Sequence, residues 1–168
     1  HITIIIISAT ICDMSKPALL NVAIIAANVG ATELEFAVKK VHKLDVMKKG
    51  PTDYVTEVDQ RVEAMVFEKI KEYYPNDNFL GEESGHEINT SDTTWILDPI
   101  DGTTNFSHGF PHFCVSIALL IDGEPVVAVV HDPLRQWSFF ATRGGGAWRN
   151  DQPLQVTQQT QLSQALIA

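Results

Sequence analysis

The segment Trp95-Ile96-Leu97-Asp98-Pro99-Ile100-Asp101-Gly102-Thr103-Thr104-Asn105-Phe106 holds the densest chemistry in the sequence. An apolar run reads as a short buried strand that delivers Asp98 at its end. Pro99 fixes the next φ and removes a donor. Asp101 follows three positions on, so both carboxylates can face one centre. Two carboxylates that close repel, and one is driven to protonate unless a cation neutralises them. A divalent ion that prefers oxygen suits them, Mg²⁺ first. No His or Cys stands at ligand spacing, which argues against zinc. Gly102 permits close backbone approach. Thr103-Thr104 can open a short helix whose free N–H groups suit a phosphate. Carboxylates for a metal beside a phosphate cradle make a phosphoryl-transfer site. The order D-P-x-D-G is also ordinary turn chemistry, so a solvated turn stays open on these residues alone.

Other acids could join this centre. Glu82-Glu83 follow the apolar stretch Asn78-Phe79-Leu80-Gly81 and read either as a further ligand source or as a solvated pair. Asp59 lies in Thr56-Glu57-Val58-Asp59, which resembles a helix start capped by Thr56. There Asp59 either complements the helix dipole or reaches the site. His108, His112 and His131 read as packing or surface residues, and Trp95, Trp137 and Trp148 as core or hairpin residues. Cys12 and Cys114 have no CxxC spacing. They suggest neither a disulfide framework nor a zinc finger, and a reducing, cytoplasmic setting is expected. Cys114, within Phe113-Cys114-Val115-Ser116-Ile117, reads as a small buried hydrophobe.

The elements that must position these groups follow from periodicity. Pro17 can open a helix. Leu20, Ala23, Ile24, Ala27, Ala31, Leu34, Val38 and Val41 then mark one buried face at spacings of three and four. Lys48 to Asp53 reads as a turn-rich loop. A second helix is expected after Thr56, with Val58, Val62, Met65, Val66, Ile70 and Tyr73 on its buried face, ending before Pro75. Beyond that point strands dominate. Val115 to Ile121 and Val126 to Val130 are joined by Asp122-Gly123-Glu124, a hairpin signal. Gln136 to Thr142 is a further strand, and Asn150-Asp151 is a tight turn between two short ones. Leu162 to Ala168 reads as a strand beginning. Two helices followed by a mostly antiparallel sheet predict an α+β layered unit. The opening stretch, Ile2 to Ile11, falls short of the ~18 apolar residues of a membrane span and lacks a secretory signal. Residues 1–13 read as an upstream extension with a natural start near Met14; an edge strand is the other reading.

Composition narrows the classes. The chain has 168 residues, 45% apolar and 20% charged, enough to bury a core, which excludes a disordered tail. Lys and Arg number 12 against 21 Asp and Glu, a net charge of −9. Such a chain has no electrostatic footprint for nucleic acid or anionic lipid. It can still take a phosphorylated small molecule through bound cations.

Gly81-Glu82-Glu83-Ser84, followed by Asp98-Pro99-Ile100-Asp101-Gly102-Thr103-Thr104-Asn105-Phe106, resembles the inositol monophosphatase family. Asp53 to Asp59 is similar to the family's upstream segment, and Met14 to Val41 to its first helix. His131-Asp132-Pro133 through Ala147 and Asn150 is similar to its later hairpin, in the manner of bacterial members. The resemblance implies a layered α-β-α-β-α sandwich of the sugar phosphatase type and hydrolysis of inositol 1-phosphate or a related sugar monophosphate. It implies Mg²⁺ held by the carboxylates of Glu82, Asp98 and Asp101 and by the carbonyl of Ile100. Phosphate would rest on the amides of Gly102 and Thr103, with Asp101 beside the substrate. Thr103 with Glu82 would activate the attacking water, and Asp59 would stand near the metals in a catalytic role. Lys48 or Lys49 would lie near the site. Lithium sensitivity and a homodimer are implied as well. Family members continue past the last residue here with a W-D-x-A-A-G-like segment that bears a further metal-binding Asp. Residues 14–168 are therefore expected to form the N-terminal α+β portion, with its apolar face uncovered and activity weak or absent in the 168-residue chain. Other readings are a silent metal- or phosphate-binding or protein-docking module, and a phosphatase of fructose bisphosphate or phosphoadenosine phosphate.

Overall fold

The structure, a computed structural model, describes residues 16–44 and 51–165. Helix α1 spans Lys16–Leu44 and helix α2 spans Pro51–Lys71. The apolar period of α1 puts Ala23, Ala27, Ala31, Leu34, Val38 and Val41 in the core. By length and composition alone, Ala18–Val41 is apolar enough to cross a membrane. Here its apolar face is occupied, packed against α2 and the sheet.

Helix α2 begins at Pro51, earlier than a Thr56 cap predicts. Proline fits the first helical position, where its missing N–H costs nothing, and Asp53 sits in the first turn. Asp59 is therefore well inside the helix, and complementing the helix dipole is not its role. Val58, Val62, Val66 and Ile70 are buried as expected. Tyr73 is 52% exposed because the helix stops at Lys71 and the chain turns away.

Eight strands form one sheet: β1 Asn78–Gly81, β2 Gly85–Glu87, β3 Thr93–Asp101, β4 Cys114–Ile121, β5 Glu124–Asp132, β6 Trp137–Thr142, β7 Gly146–Arg149 and β8 Gln152–Leu154. Their order is β2-β1-β3-β4-β5-β6-β7-β8, and only β1 and β3 are parallel neighbours. Helix α3, Thr103–Ser107, follows β3 directly. Asp122 and Gly123, both at positive φ, make the β4–β5 turn, and Asn150 turns β7 into β8. Leu162–Gln164 form a short 3₁₀ helix where a strand was expected. Gln159 bonds the side chain of Gln164 and the amide of Gln161, which satisfies this exposed stretch locally without a sheet partner. The upstream extension and Lys48 and Lys49 lie outside the described residues.

Both helices cover one face of the sheet. Phe79, Trp95, Leu97, Ile117, Leu119, Val127 and Val129 point toward them and are buried. The opposite face carries Leu80, Ile96, Ala118, Val130 and Phe139, half-buried, with no helix over them among the described residues. This α+β arrangement, with helices on one side of the sheet, is the expected one.

Candidate functional site

The parallel pair builds the site. Phe79 lies beside Trp95, Leu80 beside Ile96 and Gly81 beside Leu97. Glu82 follows the last pair on β1 and Asp98 the last pair on β3, so an acid just past the end of β1 and an acid still within β3 come from distant stretches to one place. Ligand sites favour such carboxyl ends of parallel strands. The β3–β4 register then shifts between Asp98 and Asp101. This irregularity leaves Pro99 and Ile100 without regular partners between Asp98, paired with Ser116, and Asp101, paired with Cys114, just before α3.

Glu82, Asp98, Ile100, Asp101, Gly102, Thr103, Thr104 and Asn105 line one cleft of about 330 Å³. Every residue expected to hold metal or substrate is among them. Asp98 forms its floor, 7% exposed, with one carboxylate oxygen, Oδ1, lacking a hydrogen-bond partner. Glu82 and Asp101 stand at the solvent edge. Burial and the negative charges of Glu82 and Asp101 push the Asp98 carboxyl up to about 7, against the opposing pull of the Ile100 amide.

Asp59 does not line the cleft. It sits on α2, 6% exposed, with its own Oδ1 unpartnered. Burial and the charges of Glu83, Glu82, Asp98 and Glu63 raise it to about 7 as well. Four residues on, Glu63 lies on the same helical face and is 3% exposed. Sequence reasoning passed over Glu63. It accepts the backbone N–H of Glu83 at 3.0 Å and of Ser84 at 2.8 Å.

Gly102 sits at φ +96°, a conformation that disfavours a side chain, and a Cβ there would lie 2.9 Å from the His112 carbonyl oxygen. No side chain caps α3 at this end. The Thr103 hydroxyl donates to the Ile100 carbonyl at 2.9 Å, and Asn105 donates to the His112 carbonyl at 2.8 Å, closing the following loop. Cys114 is only half-buried, contrary to the expected core placement, because it opens β4 beside the cleft residue Asp101 rather than under the helices. Its thiol points at Asp101 Oδ2, 3.7 Å away, and burial beside Asp101 and Asp98 pushes it up to about 12. His131 is buried on β5, held by Ser138 at 2.7 Å, and His108 binds back onto the Thr104 carbonyl. Both fit the packing and surface roles expected of them.

The donor set is all hard oxygen: three carboxylates and a carbonyl around an unpartnered buried oxygen. It suits a hard divalent cation better than zinc. Among the described residues no three His, Cys, Asp or Glu side chains are already gathered as ligands, so an ion would have to draw the exposed Glu82 and Asp101 inward.

A sequence model of the inositol monophosphatase family matches residues 16–168. The chain belongs to the inositol monophosphatase family. It is 44% identical to an inositol-1-monophosphatase of Rhizobium meliloti over 92% of this chain and 58% of that protein. It is 40% identical to the Nus factor SuhB of Xylella fastidiosa, over 92% of this chain and 55% of that one. In the crystal structure of the extragenic suppressor protein suhB from Bartonella henselae, the matching part is 40% identical. It superimposes with a TM-score of 0.78 over 86% of this chain and 57% of that one. The chain thus spans somewhat more than half the length of these relatives.

Proposed function

We propose that this chain carries the metal- and phosphate-binding portion of a phosphoric monoester hydrolase acting on inositol 1-phosphate or a related polyol monophosphate. The observation that carries this reading is the buried, half-unpartnered carboxylate of Asp98 on the floor of the cleft. Burial, with the negative charges of Glu82 and Asp101, raises its pKa, and a bound cation would favour the ionised form. The name of the Rhizobium meliloti relative supports the substrate class.

Glu82, Asp98, Asp101 and the Ile100 carbonyl would hold Mg²⁺. When bound, Mg²⁺ supplies Lewis acidity to a phosphoryl oxygen. The chain supplies the rest. The Gly102 and Thr103 amides, left uncapped by any side chain, can donate to the phosphate. The Thr103 hydroxyl proton is committed to the Ile100 carbonyl, so Oγ1 is left as an acceptor. It can therefore orient a water by taking a hydrogen bond from it. Glu82, at the cleft edge, would take the proton that the water gives up as its oxygen bonds to phosphorus, while the ester P–O bond breaks and the polyol leaves as an alkoxide that takes a proton from solvent. Asp59, buried on α2 outside the cleft lining, would favour cation binding through its charge when ionised. Assembly as a homodimer and a cytoplasmic setting belong to this proposal.

Asp98→Asn in the full-length protein tests it: the fold should persist by circular dichroism while turnover of inositol 1-phosphate with Mg²⁺ falls by at least ~100-fold. A variant that keeps most of its rate overturns the metal assignment. The ungathered ligands favour one second reading, binding without turnover. Calorimetry of the 168-residue chain with Mg²⁺ and inorganic phosphate, run beside a turnover assay, separates the two. Turnover by this chain removes the silent module.

A further inference from the structure

We infer that Glu63 is a positioning residue for Glu82. This rests on the proposed metal site, and the clamp itself stands on geometry alone. The Glu63 carboxylate is almost completely buried, and no cation pairs with it among the described residues. Lys71, on the same helix, is engaged with Glu87. The charge of Glu63 is instead met by two consecutive amides. Oε2 accepts Glu83 N–H at 3.0 Å and Oε1 accepts Ser84 N–H at 2.8 Å. Hydrogen bonds to an ionised acceptor are the stronger kind, and a fork using both oxygens fixes orientation as well as distance.

The clamp acts on the turn that carries the cleft acid. Glu82 stands between Gly81, the last residue of β1, and the two clamped amides. Its side chain lines the cleft, whereas Glu83 and Ser84 border a separate hollow with Glu63, Phe67 and Lys71. Neighbouring acids therefore point to different places, and that divergence needs the backbone held on both sides. β1 holds one side through its pairing with β3, and Glu63 holds the other.

Gly81 reports the same contact independently. A Cβ on Gly81 would overlap the Glu63 carboxylate, although Gly81 is not at positive φ. The glycine leaves the room that the carboxylate occupies, and a side chain there would displace it. Asp59, one turn earlier, is buried on the same face with an oxygen that has no partner. Burial on this helix face therefore does not by itself recruit amides. The turn is fastened to Glu63 specifically.

The test uses the full chain and Mg²⁺ as probe. Glu63→Gln keeps size and burial but leaves one acceptor for two amides. Amide hydrogen exchange at Glu83 and Ser84 should quicken, and Mg²⁺ affinity by calorimetry should fall ~10-fold or more, the usual effect of losing a residue that orients a ligand. Gly81→Ala should reproduce both changes by pushing the carboxylate aside, which guards against a Glu63 variant that fails to fold. A purely structural role would lower thermal stability but leave Mg²⁺ affinity of the folded variant unchanged, and that result overturns the inference. Unaltered exchange at Glu83 and Ser84 in both variants also overturns it. If the unmutated chain shows no Mg²⁺ binding, the proposed function falls. Quickened exchange in the variants then still supports the clamp.

Discussion

Asp98 and Asp59 are each raised from 3.8 to about 7 by burial and by neighbouring acids. Between those values the folded chain holds protons that the unfolded chain has already released. The unfolded state binds fewer protons there, so stability falls as pH rises through the window. The stabilisation is fully present below the unfolded value and lost above the folded one. Without metal, the chain should melt several degrees lower at about pH 8 than at about pH 5 in thermal scans. Asp98→Asn, neutral throughout, should flatten that dependence, and Mg²⁺ should restore the alkaline stability of the unmutated chain. A melting temperature that climbs with pH would show that the carboxylates are not confined together. Gly102 makes a second case. Its φ of +96° and the nearby His112 carbonyl leave no room for a methyl. Gly102→Ala should cost about 1–3 kcal/mol in denaturant titrations, the usual range for a strained backbone, and should weaken binding of inorganic phosphate.

The two helices meet at Gly30. A Cβ there would lie 2.9 Å from Val66 Cγ2, 3.0 Å from Val62 Cγ1 and 3.3 Å from Val115 Cγ2. Alanine gains about 1 kcal/mol in helix propensity over glycine. Three stiff β-branched neighbours from two elements cannot all withdraw, and overpacking costs about 1–3 kcal/mol. Gly30→Ala should therefore be net destabilising, read as a lower denaturant midpoint, and Val66→Ala should recover part of the loss in a double-mutant cycle. Helix α1 was legible in the sequence because its buried face repeats over many turns. The start of α2 was not. Thr56-x-x-Asp59 imitates a cap, while the true start depends on Pro51 and Asp53. The Asp98–Thr103 half of the cleft could be read because it is local. Nothing local revealed Glu63, whose partners lie twenty and twenty-one positions away. Nor did local pattern bring Glu82 to Asp98, which needs the parallel register of β1 with β3.

At the scale of the whole chain, the two sheet faces differ in what covers them. Leu119 and Ile117 are sealed beneath the helices, whereas Ile96, Val130 and Phe139 are only half-buried on the other side. Among the described residues no helix lies over that second face. A contiguous apolar patch of this kind binds hydrophobic dyes. The folded 168-residue chain should accordingly enhance the fluorescence of an anilinonaphthalene dye while keeping native circular dichroism. Phe139→Ser combined with Ile96→Ser should reduce that signal at a small stability cost, because neither side chain is fully withdrawn from water. Leu119→Ala should do the reverse. It should cost about 2–5 kcal/mol, as loss of a sealed leucine does, and leave dye binding by the folded chain unchanged. If the serine variant unfolds as readily as the alanine variant, both faces are covered in solution. The helices are then only half of what closes this sheet.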